Sequence, residues 1–99
     1  MSTAAKLKRE PRIRSVQVND QAIVASLTDG RIVSVPLHWS YRLEVATPEE
    51  RGNYRLIANG YGVHWPDIDE DLSANGFLNG TPAPRGKAYR DFMREHRAR

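Results

Sequence analysis

The sequence predicts an α+β domain: a small antiparallel sheet or β-meander, short central helices and a C-terminal amphipathic helix. Three observations predict it. β-Branched runs separated by turn residues, "AIVASLTDGRIVSV", fill residues 22–35. "TPEE" at 47–50 has the chemistry of a helix start. "AYRDFMREH" places Tyr89, Phe92, Met93 and His96 at i, i+3, i+4 and i+7, the apolar stripe of an amphipathic helix. A chain of 99 residues fits one domain with one modest core.

Residues 1–11 read as a flexible basic tail closed by Pro11. "RIRSVQVND" then alternates imperfectly and ends on a turn at Asn19-Asp20. Asp29-Gly30 is a hairpin signal between two β-branched runs, so 12–35 reads as a three-stranded meander that Pro36 ends. Leu37, Tyr41 and Val45 are spaced i, i+4, i+8, which predicts a helix of roughly two to three turns. Thr47 is the cap of a second helix, with Pro48 at its first position and Glu49 and Glu50 in its first turn. Gly52 or Asn53 ends it. "YRLIANGYGVHW" returns to a hairpin around Asn59-Gly60. Pro66 closes the strand because it has no N–H to donate. "SANGFLNG" reads as a short helical turn broken by glycine, and "TPAP" as an extended spacer. The domain proper is 12–80, with 81–99 a spacer and a helix packed on it through Tyr89, Phe92 and Met93.

Composition removes several functions. There is no cysteine, hence no disulfide framework, thiolate zinc site or cysteine nucleophile. No apolar run approaches the ~20 residues of a membrane span, and the N-terminus lacks a secretory apolar core. These features predict a soluble, cytoplasmic protein. The net charge of +3 hides an asymmetry: residues 1–14 carry +4, residues 15–84 carry −5 and residues 85–99 carry +4. An acidic body between basic ends invites partners of either sign.

The acids concentrate in "HWPDIDEDL", where Asp67, Asp69, Glu70 and Asp71 fall within five positions. Read as a calcium loop from Asp67, the first three ligand positions match, but Leu72 and Leu78 stand where the glycine and bidentate glutamate belong. As catalytic carboxylates they share one local surface rather than facing each other across a cleft. The plain structural reading is the start of a helix or a turn. The functional one is a docking surface. His64 is close enough in sequence to contact Asp67; otherwise it bonds the nearby turn. His38, His64 and His96 do not have metal-ligand spacing. Trp39 and Trp65, each after a histidine, read as core or core-edge residues, or else as interface residues. The basic candidates for phosphate contact are Lys6, Lys8, Arg9, Arg85, Lys87, Arg90, Arg94 and Arg97. The plain alternative is a solvated helix face and tail.

One further pattern runs through the middle of the chain. It comprises a D-G-R turn, V-P-L, W-x-x-R-L, A-T-P-E-x-R, H-W-P-x-x-D-E-D (His64 to Asp71) and a closing L-x-G. This order resembles the bacterial family catalogued as domain of unknown function 2442. The resemblance implies a small α+β protein, standing alone or fused to a helix-turn-helix domain for which this chain has no room. It implies a gene paired with a neighbour in a toxin–antitoxin-like arrangement, and it supplies no catalytic residue, metal or cofactor. The expected function is a non-enzymatic interaction protein, the antitoxin-like or accessory member of such a pair, or one that pairs with itself. Its partner-binding candidates are Trp39, His64, Trp65, Asp67, Asp69, Glu70 and Asp71. The alternatives are a nucleic-acid accessory protein acting through its basic ends and a small metal-dependent enzyme using the acidic turn.

Overall fold

Two three-stranded antiparallel sheets and four helices make up the protein in a computed structural model that describes residues 11–97, Arg97 by its backbone alone. The basic tail with Lys6, Lys8 and Arg9 lies outside the described residues. The first sheet is the expected meander: β1 (Ile13–Val18), β2 (Ala22–Leu27) and β3 (Ile32–Pro36), in that order. Its register pairs Ile13 with Leu27, Val16 with Ala25, Ile23 with Val35 and Ala25 with Val33. Side chains alternate across a pleat, so these residues share the inward face, while Ser15, Gln17, Ser26 and Ser34 share the other. The imperfect alternation of β1 has a physical cause. The register shifts between Ile13 and Ser15, a bulge that turns Ile13 back to the core. Gly30, at φ +95°, closes the β2–β3 turn in a conformation that costs glycine little.

The helix expected over 37–45 is broken. A single 3-10 turn covers Leu37–Trp39, Ser40 is extended at φ −119° and ψ 104°, and α1 then spans only Tyr41–Glu44. The spacing of Leu37, Tyr41 and Val45 was compatible with a continuous helix, but Ser40 caps a new one. Its hydroxyl accepts from Leu43 N at 3.2 Å, a local bond that serine makes at the expense of helix continuity. Next, α2 (Pro48–Gly52) begins with a complete capping box. Thr47 Oγ1 accepts from Glu50 N at 3.1 Å and Glu50 Oε1 accepts from Thr47 N at 2.9 Å.

The second sheet has the order β4 (Arg55–Ile57), β5 (Gly62–Trp65), β6 (Glu70–Ser73). Ala58, Asn59 and Gly60 between β4 and β5 all have positive φ. Gly60 is needed at that point: a Cβ there would meet Arg12 Cβ at 3.1 Å and Ile13 O at 3.3 Å, where the two sheets touch. The acidic stretch begins no helix. Residues 66–69 turn the chain, and β6 then pairs antiparallel with β5, Trp65 opposite Glu70 and His64 opposite Asp71. Asp69 adopts φ +53°, a left-handed position that Asp tolerates better than most residues. Helix α3 (Ala74–Asn79) is capped by Ser73, and Gly76 sits inside it without breaking it. The spacer leads to α4 (Lys87–Arg97).

The core lies between the sheets, α1 and α3. Ile13, Ile23, Ala25, Leu27, Leu43, Val63, Trp65 and Ala74 are all but inaccessible to solvent. Arg51 joins these parts. From α2 its side chain, only 10% exposed, donates to Leu43 O and Glu44 O at the end of α1 and to Asp20 Oδ1 in the β1–β2 turn. Its carbonyl accepts from Trp65 Nε1 at 3.0 Å. Tyr54 then crosses between sheets, its hydroxyl accepting from Val16 N at 3.0 Å. No helix among the described residues is long and apolar enough to cross a membrane.

Replacing Arg51 by methionine keeps its stem and removes its charged donors from half-buried carbonyls. Chemical denaturation is expected to show a loss of about 2–4 kcal/mol. Asp20→Ala removes only the exposed partner and is expected to cost no more than about 0.5 kcal/mol.

Candidate functional site

The β5–β6 hairpin separates the four clustered acids. Successive residues of a strand point to opposite faces. Trp65, Glu70 and Leu72 therefore turn toward the core side, and His64 and Asp71 toward the outside. The residues expected to share one surface lie in three places.

Glu70 belongs to the interior side. Ser40 Oγ, in a residue only 1% exposed, donates to Glu70 Oε2 at 2.5 Å. Glu70 Oε1 accepts from Asp71 N at 3.0 Å. The hydroxyl that breaks the expected helix thus fastens α1 to β6. Asp71 lies on the outer face, with its Oδ1 2.5 Å from His64 Nδ1. His64 meets neither Asp67 nor the turn, the two alternatives its sequence position offered: cross-strand register brings it to Asp71 on β6, and Asp67 instead accepts from Asn53 Nδ2 at 2.9 Å. Trp65 is fully buried. Trp39 is half-buried and lines a separate apolar cavity of about 80 Å³ with Ile23, Val35, Leu72 and Phe77.

Asp67 and Asp69 face a cleft of about 240 Å³ between the β5–β6 turn, α1, α2 and α4. Val45, Ala46, Ile68 and Phe92 supply the apolar part of a mainly polar lining. Among the described residues its charged groups are Glu50, Asp67, Asp69 and Glu95 against the guanidinium of Arg42. His96 also lines it, its Nδ1–H donating to Phe92 O at 2.9 Å. Arg42 donates to Ile68 O at 3.3 Å and lies 5.1 Å from the Phe92 ring centre, so it holds the acidic turn and α4 together. Of this cleft the sequence reading had only the two aspartates. Arg42, Glu50 and Glu95 come from elements whose meeting no local pattern encodes. Among the described residues no group of three or more His, Asp or Glu is placed to hold a metal ion.

Helix α4 docks beside the cleft through aromatic contacts. Tyr89 and Phe92 lie 5.1 Å and 5.2 Å from the Tyr41 ring. Phe92 is buried, whereas Met93, expected to pack beside it, is half-buried in a shallow groove with Tyr89, Arg90 and Arg94. The basic candidates divide as well. Arg85 reaches back to His38 O at 2.7 Å and stacks over Tyr89. Lys87 and Arg94 both pair with Asp91, at 2.7 Å and 3.2 Å, and Arg90 is exposed. The side chain of Arg97 lies outside the described residues. The Lys87 ammonium, with Arg94 and Arg90 nearby, holds the Asp91 carboxyl below its ordinary range.

Comparison with known proteins agrees with this architecture. The family described as "Protein of unknown function (DUF2442)" matches residues 13–83. A protein of unknown function from Rhodospirillum rubrum, known from a crystal structure, superposes with a TM-score of 0.66 at 25% identity, covering 78% of this chain and 95% of that one. An uncharacterized protein from Chromobacterium violaceum, solved by NMR, superposes with a TM-score of 0.63 at 25% identity, covering 96% of this chain and 83% of that one. No curated protein matches the chain.

Two measurements check the geometry. Ser40→Ala leaves Glu70 without its buried donor and Leu43 N without its acceptor, and is expected to cost about 1–3 kcal/mol in chemical denaturation. For Asp91, an NMR titration is expected to give a midpoint below the ordinary value of 3.8, rising in Lys87→Met. A carboxyl lowered by folding stabilises the fold above its unfolded pKa, and that contribution disappears as pH falls through the folded value.

Proposed function

The chain belongs to the family described as protein of unknown function (DUF2442), and from that premise we propose that it is a non-enzymatic, cytoplasmic interaction protein that receives a basic segment of a protein partner in the cleft beside its acidic turn. The observation that carries the reading is the lining of the cleft: among the described residues, four carboxylates and one guanidinium around a smaller apolar surface. That guanidinium already donates to Ile68 O and stacks on Phe92, so it offsets the carboxylates only in part. A Lys or Arg side chain suits such a place, since its stem packs on apolar surface while its charged head meets the rim. Glu70 and Asp71 do not line the cleft: Glu70 turns to the interior side, where Ser40 donates to it, and Asp71 lies on the outer face beside His64. In this proposal the partner is the product of a neighbouring gene, the arrangement that the family resemblance implies, with this chain as the antitoxin-like or accessory member.

The competing reading is nucleic-acid binding along the flank of α4 that carries Lys87, Arg90 and Arg94, where Asp91 offsets part of the charge. One double variant separates the two. Asp67 and Glu95 are exposed and lie on the cleft rim, so Asp67→Lys with Glu95→Lys alters its charge without emptying the core. Binding of a lysine- and arginine-rich peptide is expected to fall about tenfold or more, because like charges meet across the contact. Binding of a DNA duplex is expected to strengthen in the same variant. Both are read by fluorescence anisotropy at two salt concentrations, with circular dichroism as the folding control. Unchanged peptide affinity in a folded variant removes the acidic cleft as the docking site.

A further inference from the structure

An edge strand presents a row of unpaired backbone N–H and C=O groups, and folded proteins guard such edges. Among the described residues, three of the four sheet edges are guarded. On β1 the bulge between Ile13 and Ser15 interrupts the row, and the Tyr54 hydroxyl accepts from Val16 N. β4 is three residues long and carries Arg55. β6 carries Glu70 and Asp71. The fourth edge is β3, which has no charged residue. The bonds at its ends fix which of its groups are free. Leu27 N donates to Arg31 O and Leu37 N to Gln21 O, each at 2.9 Å. Hydrogen-bonded pairs alternate with non-bonded ones in an antiparallel ladder, so Val33 and Val35 are the residues bonded to β2. Ile32, Ser34 and Pro36 turn their backbone groups to the open side. Among the described residues, the backbone of Ile32 and Ser34 meets no backbone group of another element. Ile32 is 70% exposed, the most exposed large apolar side chain described, and Val33 on the inner face is half-buried. The rows Ser15–Ser26–Ile32 and Gln17–Val24–Ser34 cross the outer face without a charge.

We propose that β3 is the interface of a symmetric dimer, in which a second copy of this chain adds its own β3 antiparallel about a two-fold axis at Val33 and joins the two meanders into one continuous sheet. Strand addition of this kind draws its affinity from main-chain hydrogen bonds. The occupant is read from the strand's own pattern of free groups. In this register Ile32 N–H meets the carbonyl of the partner's Ser34, and Ser34 N–H meets the carbonyl of the partner's Ile32. The axis repeats both bonds, so every edge group of these two residues finds a complement. Pro36 falls beyond the ladder, where its missing N–H costs nothing. Moving the axis to Ser34 instead sets Pro36 against Ile32 and leaves the Ile32 carbonyl without a donor on both sides. With the axis at Val33, that residue faces the partner's Val33 as a non-hydrogen-bonded pair, the closest approach of side chains in such a ladder. The two Ile32 side chains then lie diagonally across the axis on the outer face. A two-fold axis repeats any charge on the strand across the contact, and β3 carries none. The inference uses no residue of the acidic cleft and stands apart from that reading.

The test exploits a chain that has no cysteine of its own. The full-length native chain is expected to show a concentration-dependent monomer–dimer equilibrium in analytical ultracentrifugation. Ile32→Lys changes an exposed side chain and is expected to raise the dissociation constant about tenfold or more, because two ammonium groups then approach across the axis. Circular dichroism is the folding control. Under mild oxidation Val33→Cys is expected to give a disulfide-linked dimer. The Cα atoms of a non-hydrogen-bonded pair lie about 4.5 Å apart, within the span that a disulfide bridges. Ser15→Cys, on the opposite edge of the same sheet, is expected to stay monomeric under the same conditions. The cleft variant Asp67→Lys with Glu95→Lys is expected to leave the dimer unchanged. A native chain that is monomeric at about 1 mM overturns the proposal. So does a dimer that Ile32→Lys does not weaken, or one that the cleft variant dissolves. A folded Val33→Cys that cross-links no better than Ser15→Cys overturns it as well. If Val33→Cys fails to fold, the ultracentrifugation of the native chain and of Ile32→Lys decides alone.

Discussion

The guanidinium of Arg51 is the point on which the separate parts of this small fold converge. Helix α1 is a single turn whose terminal carbonyls find donors beyond it, Ala46 N reaching Leu43 O at 3.2 Å. Arg51 donates to two of them, at 3.0 Å each. Its third contact reaches the β1–β2 turn, and its backbone carbonyl receives the indole N–H of Trp65 from the second sheet. Arginine suits the task because its planar fork presents several donors at fixed angles and keeps its charge. Neither sheet, at three strands, encloses a core by itself, so a link of this kind decides how the two face each other.

Once the sheets are placed, the position of the acidic turn follows. Arg51 O holds Trp65, the last residue of β5, and the turn over 66–69 begins at the next residue. Ser40 holds the first residue of β6 from the other side through Glu70. The turn between them is thereby presented to α1 and α4, and its two aspartates face the cleft. The pleat does the rest: it sends Glu70 inward and Asp71 outward to His64. One run of like charge is thus divided among a half-buried hydrogen bond, a cross-strand pair and a cleft rim, which lowers the repulsion that four neighbouring carboxylates would otherwise feel.

The aromatic contacts of α4 differ in kind from those of the core. Trp65, Leu43 and Val63 are surrounded by residues from both sheets and the helices between them. Phe92 meets one aromatic ring, one guanidinium and the neighbouring His96. Burial of that extent holds a helix without merging it into the core, and it leaves a charged cleft along one side.

What the sequence by itself determined was local. The meander, the turns at Asp29-Gly30 and Asn59-Gly60, the capping box of Thr47 and Glu50 and the amphipathic α4 all depend on residues a few positions apart, so the sequence displays them directly. The break at Ser40 is the instructive local failure. The apolar spacing favoured a helix, and a hydroxyl bonded to Glu70, thirty positions away, favoured the break. The acidic stretch was visible as a feature, and its alternatives of helix start or turn were both local. That it is a hairpin depends on β6 finding β5. The tertiary structure alone decided the pairing of His64 with Asp71, the place of Arg42 between the turn and α4, and the union of Glu50, Asp67, Asp69 and Glu95 around one cleft. These groups come from separate elements, and only packing and strand register bring them within a few ångströms.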